Sequence, residues 1–295
     1  MTSTPAPELL SVAIPEPCLG QATTNAYLYQ QGDTALLVNT APHTVPVTDI
    51  LITSVLPSTT AHLDAHPGAT IHSPWSADAI ERARQRRCET WLHKAVQISS
   101  AFPRLPVTAP LVDLVRQACV NWLHPLPRHH AWRLLADGEA LTCGALQWWP
   151  LVSPDPQHLA LWRDPYHHIL CSDALSPLPH LSAPAEHRHL ICGLQTLRDS
   201  HPPAQRLLPN HGPTAQRQDL ARRLNHLERF VAALPLLLRR PMTIPEMVHG
   251  DLGPAPDAGL SFVVACEVYQ SRLEAACEEG LLVAEGEAMT RTYRT

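Results

Sequence analysis

Residues 49–53 (Asp-Ile-Leu-Ile-Thr) are apolar at consecutive positions and end in a small polar side chain. A half-exposed strand alternates, so an unbroken run of this kind reads as a strand covered on both faces, which places it inside a layered sheet structure. The loop at the carboxyl end of such a strand is where α/β proteins commonly carry their chemistry. Upstream, 26–29 and 34–38 flank Gln31-Gly32-Asp33 and read as a β-hairpin. Downstream, 67–72 returns to a strand after a short helix over 58–66, capped by Ser58 or Thr59.

A longer helix is predicted over 76–97, with Ser76 as N-cap, Asp78 in its first turn, and Arg82, Arg84, Arg86 and Arg87 on a solvated face. A second helix over 109–123 precedes a proline-rich break. Strands resume over 132–135, 146–152, 159–162 and 168–172, and 174–189, rich in Pro and His, reads as loop. Strands, then helices, then strands predict a layered α/β unit with two sheets.

A boundary follows Pro213, giving an expected first domain over 1–215 and a second over 216–295. Leu220, Leu224, Leu227, Val231 and Leu234 form one apolar stripe on a helix that Pro235 is expected to end. Thr243 with Glu246 resembles a capping box, and Phe262, Cys266, Tyr269, Leu273 and Ala276 stripe a third helix stopped by Gly280. A terminal hairpin of 281–284 and 288–293 turns around Gly286. Three helices and a hairpin describe a winged-helix module.

Several function classes are excluded by what the chain lacks. There is no GxGxxG, no GxxxxGK[ST] and no GxSxG, so dinucleotide, P-loop and serine-elbow chemistry would each be without its defining backbone. The eight cysteines are scattered with no CxxC pair, against both a disulfide scaffold and a zinc ribbon. A net charge of −5 gives no polyanion-binding surplus, and Glu267, Glu274, Glu278, Glu279, Glu285 and Glu287 outnumber Arg272, Arg291 and Arg294 on the last helix and hairpin. Nucleic acid is therefore not an expected partner. The longest apolar run, 230–238, is broken by Pro235 and is too short for a bilayer, and the first ten residues lack a basic region followed by an apolar one. A soluble, cytoplasmic protein is expected.

Ordered pieces of the chain resemble the metallo-β-lactamase superfamily, in the subset with a C-terminal winged helix. They are 24–28 with Gly32-Asp33, 36–41 (Leu-Leu-Val-Asn-Thr-Ala) at the family's Asp-Thr-Gly turn, 67–74, 133–139, 149–154, Ser172-Asp173, and 209–213 (Pro-Asn-His-Gly-Pro). The resemblance implies a four-layer αββα sandwich followed by the winged helix. It also implies a HxHxDH loop, a turn histidine, a bridging Asp and a last His that hold zinc or iron. In this chain Ser54, Leu56, Ser58 and Thr59 stand at the four ligand positions of the loop and Pro156 at the turn histidine, while Asp173 and His211 match.

Leucine and proline offer no lone pair, and neutral hydroxyls are poor zinc ligands beside imidazole or carboxylate. Two matching ligands fall short of the three that a catalytic zinc normally takes from protein. The expected function is thus a catalytically impaired or non-hydrolytic protein of this fold, acting by binding or assembly. The alternative is an atypical hydrolase of esters, thioesters or related small molecules. It would use a mononuclear site rebuilt on Asp173 and His211 with Cys171 and His158, or Asp173 and His211 as a metal-free acid/base pair. Zinc or iron enters only through such a rebuilt site. Cys171 and Asp173, two apart on a strand, are expected to share a face. His62 and His66, at i and i+4, read as a solvated helix face. No membrane partner is expected, and a small-molecule ligand, a protein partner and an oligomer stay open.

Overall fold

The computed structural model describes residues 8–16, 20–42, 46–104, 109–153, 159–174, 187–199, 206–238, 240–249, 260–286 and 290–294. A six-stranded sheet runs in the order β1 (Glu8–Glu16), β2 (Gly20–Gln31), β3 (Thr34–Val38), β4 (Asp49–Leu51), β5 (Thr70–Ser73), β6 (Ala131–Leu134). The first three strands are antiparallel and β3 to β6 are parallel. Gly32, at φ 59°, makes the β2–β3 turn at the expected place. A five-stranded sheet contains β7 (Leu141–Cys143), β8 (Leu146–Leu151), β9 (Leu161–Arg163), β10 (Ile169–Ser172) and β11 (Leu207–Pro209), with β11 and β7 at its edges.

The two sheets meet through Tyr27, Tyr29, Leu36, Val38 and Leu51 on one side and Trp148, Trp162, Leu170 and Leu208 on the other. The opposite face of the first sheet, with Leu28, Leu37, Ile50, Ile52 and Ile71, packs on Ala77, Ile80 and Ala83 of α1 (Ala77–Ala101). The outer face of the second sheet packs on α3 (His187–Asp199) and α4 (Arg217–Leu237). Ile50 and its neighbour Leu51 are thus buried on opposite faces, as the continuous apolar run requires, and the expected αββα layering is present.

The helices α2 (Leu111–Trp122), α5 (Ile244–His249) and α6 (Leu260–Glu278) complete an outer cluster with α1 and the second half of α4. A small sheet, β12 (Met242–Thr243), β14 (Thr292–Arg294), β13 (Val283–Glu285), closes it, with Gly280 and Gly286 at positive φ in its turns. Among the described residues no helix is long and apolar enough to cross a membrane.

The structure corrects several expectations. The predicted helix over 58–66 is two 3-10 turns, Pro57–Thr60 and Leu63–Ala65, neither with a side-chain cap. The helix α4 runs through Pro235 to Leu237; a proline in the last turn removes one amide donor while most of the helix is already formed. The helix α3 occupies 187–189, which read as loop; 175–186 lie outside the described residues. Glu267 is not a surface acid: it is 6% exposed, with Lys94 Nζ at 2.8 Å and the Trp91 indole N–H at 3.2 Å.

Candidate functional site

The carboxyl ends of β3, β4, β10 and β11 converge on one buried polar centre. Three residues, Asn39 after β3, Thr53 after β4 and Asn210 after β11, meet there. The Asn39 amide donates to Asn210 Oδ1 at 2.8 Å, and the Thr53 hydroxyl lies 2.9 Å from Asn39 Oδ1 and 3.1 Å from Asn210 Oδ1. Asn39 holds φ 59°, a left-handed conformation that Asn tolerates better than most side chains, and this aims its amide inward. The Asn210 amide donates in turn to Ser172 Oγ at 3.1 Å and Asp173 Oδ2 at 3.2 Å, and the Ser172 hydroxyl donates to the Thr53 carbonyl at 3.0 Å.

Asp173 and His211, the two matching residues, are brought together here. His211 Nδ1 donates to Asp173 Oδ1 at 2.6 Å, and the Thr24 hydroxyl lies 3.1 Å from His211 Nε2. With a carboxylate accepting at Nδ1, Nε2 is left to pair with the Thr24 hydroxyl. Both ring nitrogens and both carboxylate oxygens therefore have protein partners. The burial is complete: Asp173 and Ser54 are 0% exposed and His211 1%.

The loop after β4 is occupied in the same way. Ser54 Oγ accepts from the Leu56 amide at 3.1 Å, and the Thr59 hydroxyl lies 2.8 Å from the Ser54 and Leu56 carbonyls. Ser58 is buried with its hydroxyl unpartnered. Arg84, expected on a solvated face, is 2% exposed. Its guanidinium donates to the Val55 and Leu56 carbonyls at 2.7 and 3.0 Å and to Thr60 Oγ1 at 2.7 Å, so a cation on α1 pins the loop from beneath. Arg87 is likewise half-buried, over the Trp91 ring at 5.1 Å.

The proposed substitute ligands fare differently. Cys171 faces away from Asp173, into the cluster with Leu190, Leu194 and Leu220. The reason is a break in strand periodicity: Ser172 sits at φ 48° with a register shift against β11, so residues two apart no longer share a face. Burial, followed by the charge of Asp173, pushes the Cys171 thiol well above its ordinary pKa. Pro156 and His158 lie outside the described residues. His62 and His66 are not on a helix, and His66 is buried with Nε2 2.8 Å from the Ala41 carbonyl.

Among the described residues, one group of His, Cys, Asp or Glu brings three potential ligand atoms within 4.8 Å of one another: Asp64, His129 and His130. It lies at the opposite end of the first sheet, where β5 and β6 begin, and nothing in the sequence pattern singled it out.

No family model matches the chain, and no curated protein matches it. Solved structures do. A metallo-beta-lactamase family protein from Thermus thermophilus matches with a TM-score of 0.69 and 21% identity, over 98% of each chain. A beta-lactamase domain protein from Burkholderia ambifaria matches with a TM-score of 0.65 and 15% identity, over 100% of this chain and 92% of that one. At these identities what is shared is shape, and the alignment runs through the C-terminal helices as well as the two sheets: the chain has the metallo-β-lactamase fold.

Proposed function

We propose that this protein is a non-hydrolytic member of its fold class, in which the cleft that holds metal in the family it resembles has become a sealed hydrogen-bonded centre, and that it acts by binding. The observation that carries this reading is the complete engagement of Asp173 and His211 at zero to one per cent exposure. A zinc ion requires lone pairs directed at one point; here His211 Nε2 is paired with the Thr24 hydroxyl, each Asp173 oxygen already has a protein donor, and Ser54, Leu56, Ser58 and Thr59 contribute no imidazole, thiolate or carboxylate. The residues present do not fit the family's metal, so no reaction step is routed through one.

The binding side of the reading is supported by a pocket of about 400 Å³ between α1 and α2, bordered by Arg84, Cys88, Leu92, Cys119, Leu123 and His124. That volume suits a small ligand, and the mixed apolar and polar border suits one with both kinds of surface. The C-terminal helices and hairpin are read as a winged-helix module that packs against the first domain.

A second reading, metal-free acyl transfer, has one observation in its favour. Asp173, His211 and Thr24 lie in line at 2.6 and 3.1 Å, the order of orienter, base and nucleophile. Burial opposes it, because Thr24 is 1% exposed and no substrate carbonyl can reach its hydroxyl. A turnover screen over β-lactam, ester, thioester and phosphodiester substrates, with a fluorophosphonate probe, tests both readings. The expected result is no turnover and no labelling above a denatured control. Turnover that disappears in H211A would replace the first reading, and labelling lost in T24V would establish the second.

A further inference from the structure

We propose that Asp64, His129 and His130 form a divalent transition-metal site, zinc by preference, at the end of the six-stranded sheet opposite the sealed cleft. The three ligand atoms lie within 4.8 Å of one another, with His129 Nε2 4.0 Å from Asp64 Oδ1. The fold assembles them from distant parts of the chain. Asp64 sits in the second 3-10 turn, which feeds β5, and His129 and His130 immediately precede β6; the parallel pairing of Thr70 with Ala131 brings the two approaches side by side.

The decisive residue is His130. It is 6% exposed, and its Nδ1 lies 3.4 Å from the Ala69 carbonyl, which can only accept, so the proton resides on Nδ1. The lone pair is therefore on Nε2, and that nitrogen is buried with no hydrogen-bond partner. A histidine whose Nδ1–H is held by a backbone carbonyl while Nε2 is free has the tautomer of a metal ligand. The His129 ring lies beside it, centroid to centroid 4.2 Å, and His129 and Asp64 are exposed.

Two imidazoles and a carboxylate are a borderline donor set that suits zinc, and exposed Asp64 and His129 leave the remaining positions to water. Zinc–nitrogen bonds of about 2.0–2.1 Å put tetrahedral ligand atoms about 3.3 Å apart, so closure from separations of up to 4.8 Å draws on rotation of the two exposed side chains, Asp64 and His129, toward His130. Bound metal would tie the loop that precedes β5 to the start of β6.

Tag-free full-length protein, stripped with chelator, is titrated with Zn²⁺ by calorimetry and with Co²⁺ by visible absorption. One equivalent is expected, with d–d bands of a low-coordinate nitrogen/oxygen site. Affinity should fall at least tenfold in D64N and in H129Q, both at exposed positions that leave folding intact, and stay unchanged in D173N. No stoichiometric binding, or binding indifferent to D64N and H129Q, overturns the proposal. Binding lost in D173N but kept in D64N and H129Q overturns it too and reinstates the cleft as a metal site, so this test is distinct from the turnover screen.

Discussion

At one end of the six-stranded sheet an imidazole, His211, is buried with both nitrogens occupied; at the other an imidazole, His130, is nearly as buried with one nitrogen unoccupied. The first stands where the family that the chain resembles keeps metal, and the second does not. The contrast separates the two ends by chemistry rather than by burial: both His211 nitrogens have protein partners, while His130 Nε2 has none. The sealed end cross-links five chain segments remote in sequence, around Thr24, Asn39, Thr53, Asp173 and His211, through side-chain hydrogen bonds.

The largest expected difference between the two ends is in stability. D173A leaves the His211 ring and the Asn210 amide without their acceptor at full burial, and should cost about 3–5 kcal/mol, read as a fall in urea midpoint. D64A, at an exposed position, should change stability by no more than about 0.5 kcal/mol in metal-free buffer. Equal losses would erase the distinction. Next, R84M removes the donors to the Val55 and Leu56 carbonyls, and should cost roughly 3 kcal/mol, with faster amide exchange across 54–60. Zinc should narrow the gap between the two ends: at a hundredfold excess over the wild-type Kd the wild type gains about 2.7 kcal/mol, and D64N, with affinity down at least tenfold, gains no more than about 1.4 kcal/mol.

The smallest effect is one of pH. Asp49 opens β4 at the same end as the triad. Burial alone would raise its pKa, but hydrogen bonds from His72 at 2.7 Å, Cys143 at 3.2 Å and Thr48 outweigh burial and hold it below the ordinary 3.8. A depressed acid contributes stability that is whole above pH 3.8 and lost as pH falls through the folded value. Urea midpoints from about pH 6 down to about pH 2.5 should therefore fall more steeply in the wild type than in D49N, and parallel curves would show that Asp49 contributes nothing.

The strands were legible because their patterns are local. The apolar run at 49–53, the glycine turn at Gly32 and the stripe from Phe262 to Ala276 each report burial within a few residues. The helix α3 was missed although Leu190, Leu194 and Leu197 carry its stripe, because the adjoining Pro- and His-rich stretch masked it. Asp173 and His211 were found by resemblance, but their partners were not: Thr24 and His211 are 187 positions apart, and periodicity carries no information across that span. Arg84 was misread because charge is a poor guide to burial when backbone carbonyls converge on it. Asp64 with His129 and His130 was invisible for a related reason, since only the β5–β6 register makes them neighbours.

The helix α4 contributes Leu220, Leu224 and Leu227 to the cluster over the second sheet and Val231 and Leu234 to the one shared with α1 and α2, where Glu267 of α6 also grips Lys94 and Trp91. A truncation at Pro213 would thus uncover two tryptophans, Trp91 and Trp122, and the flank of the five-stranded sheet together, leaving a sticky remnant rather than a trimmed core. Gene fusions and expression designs should accordingly keep residues 216–295 attached.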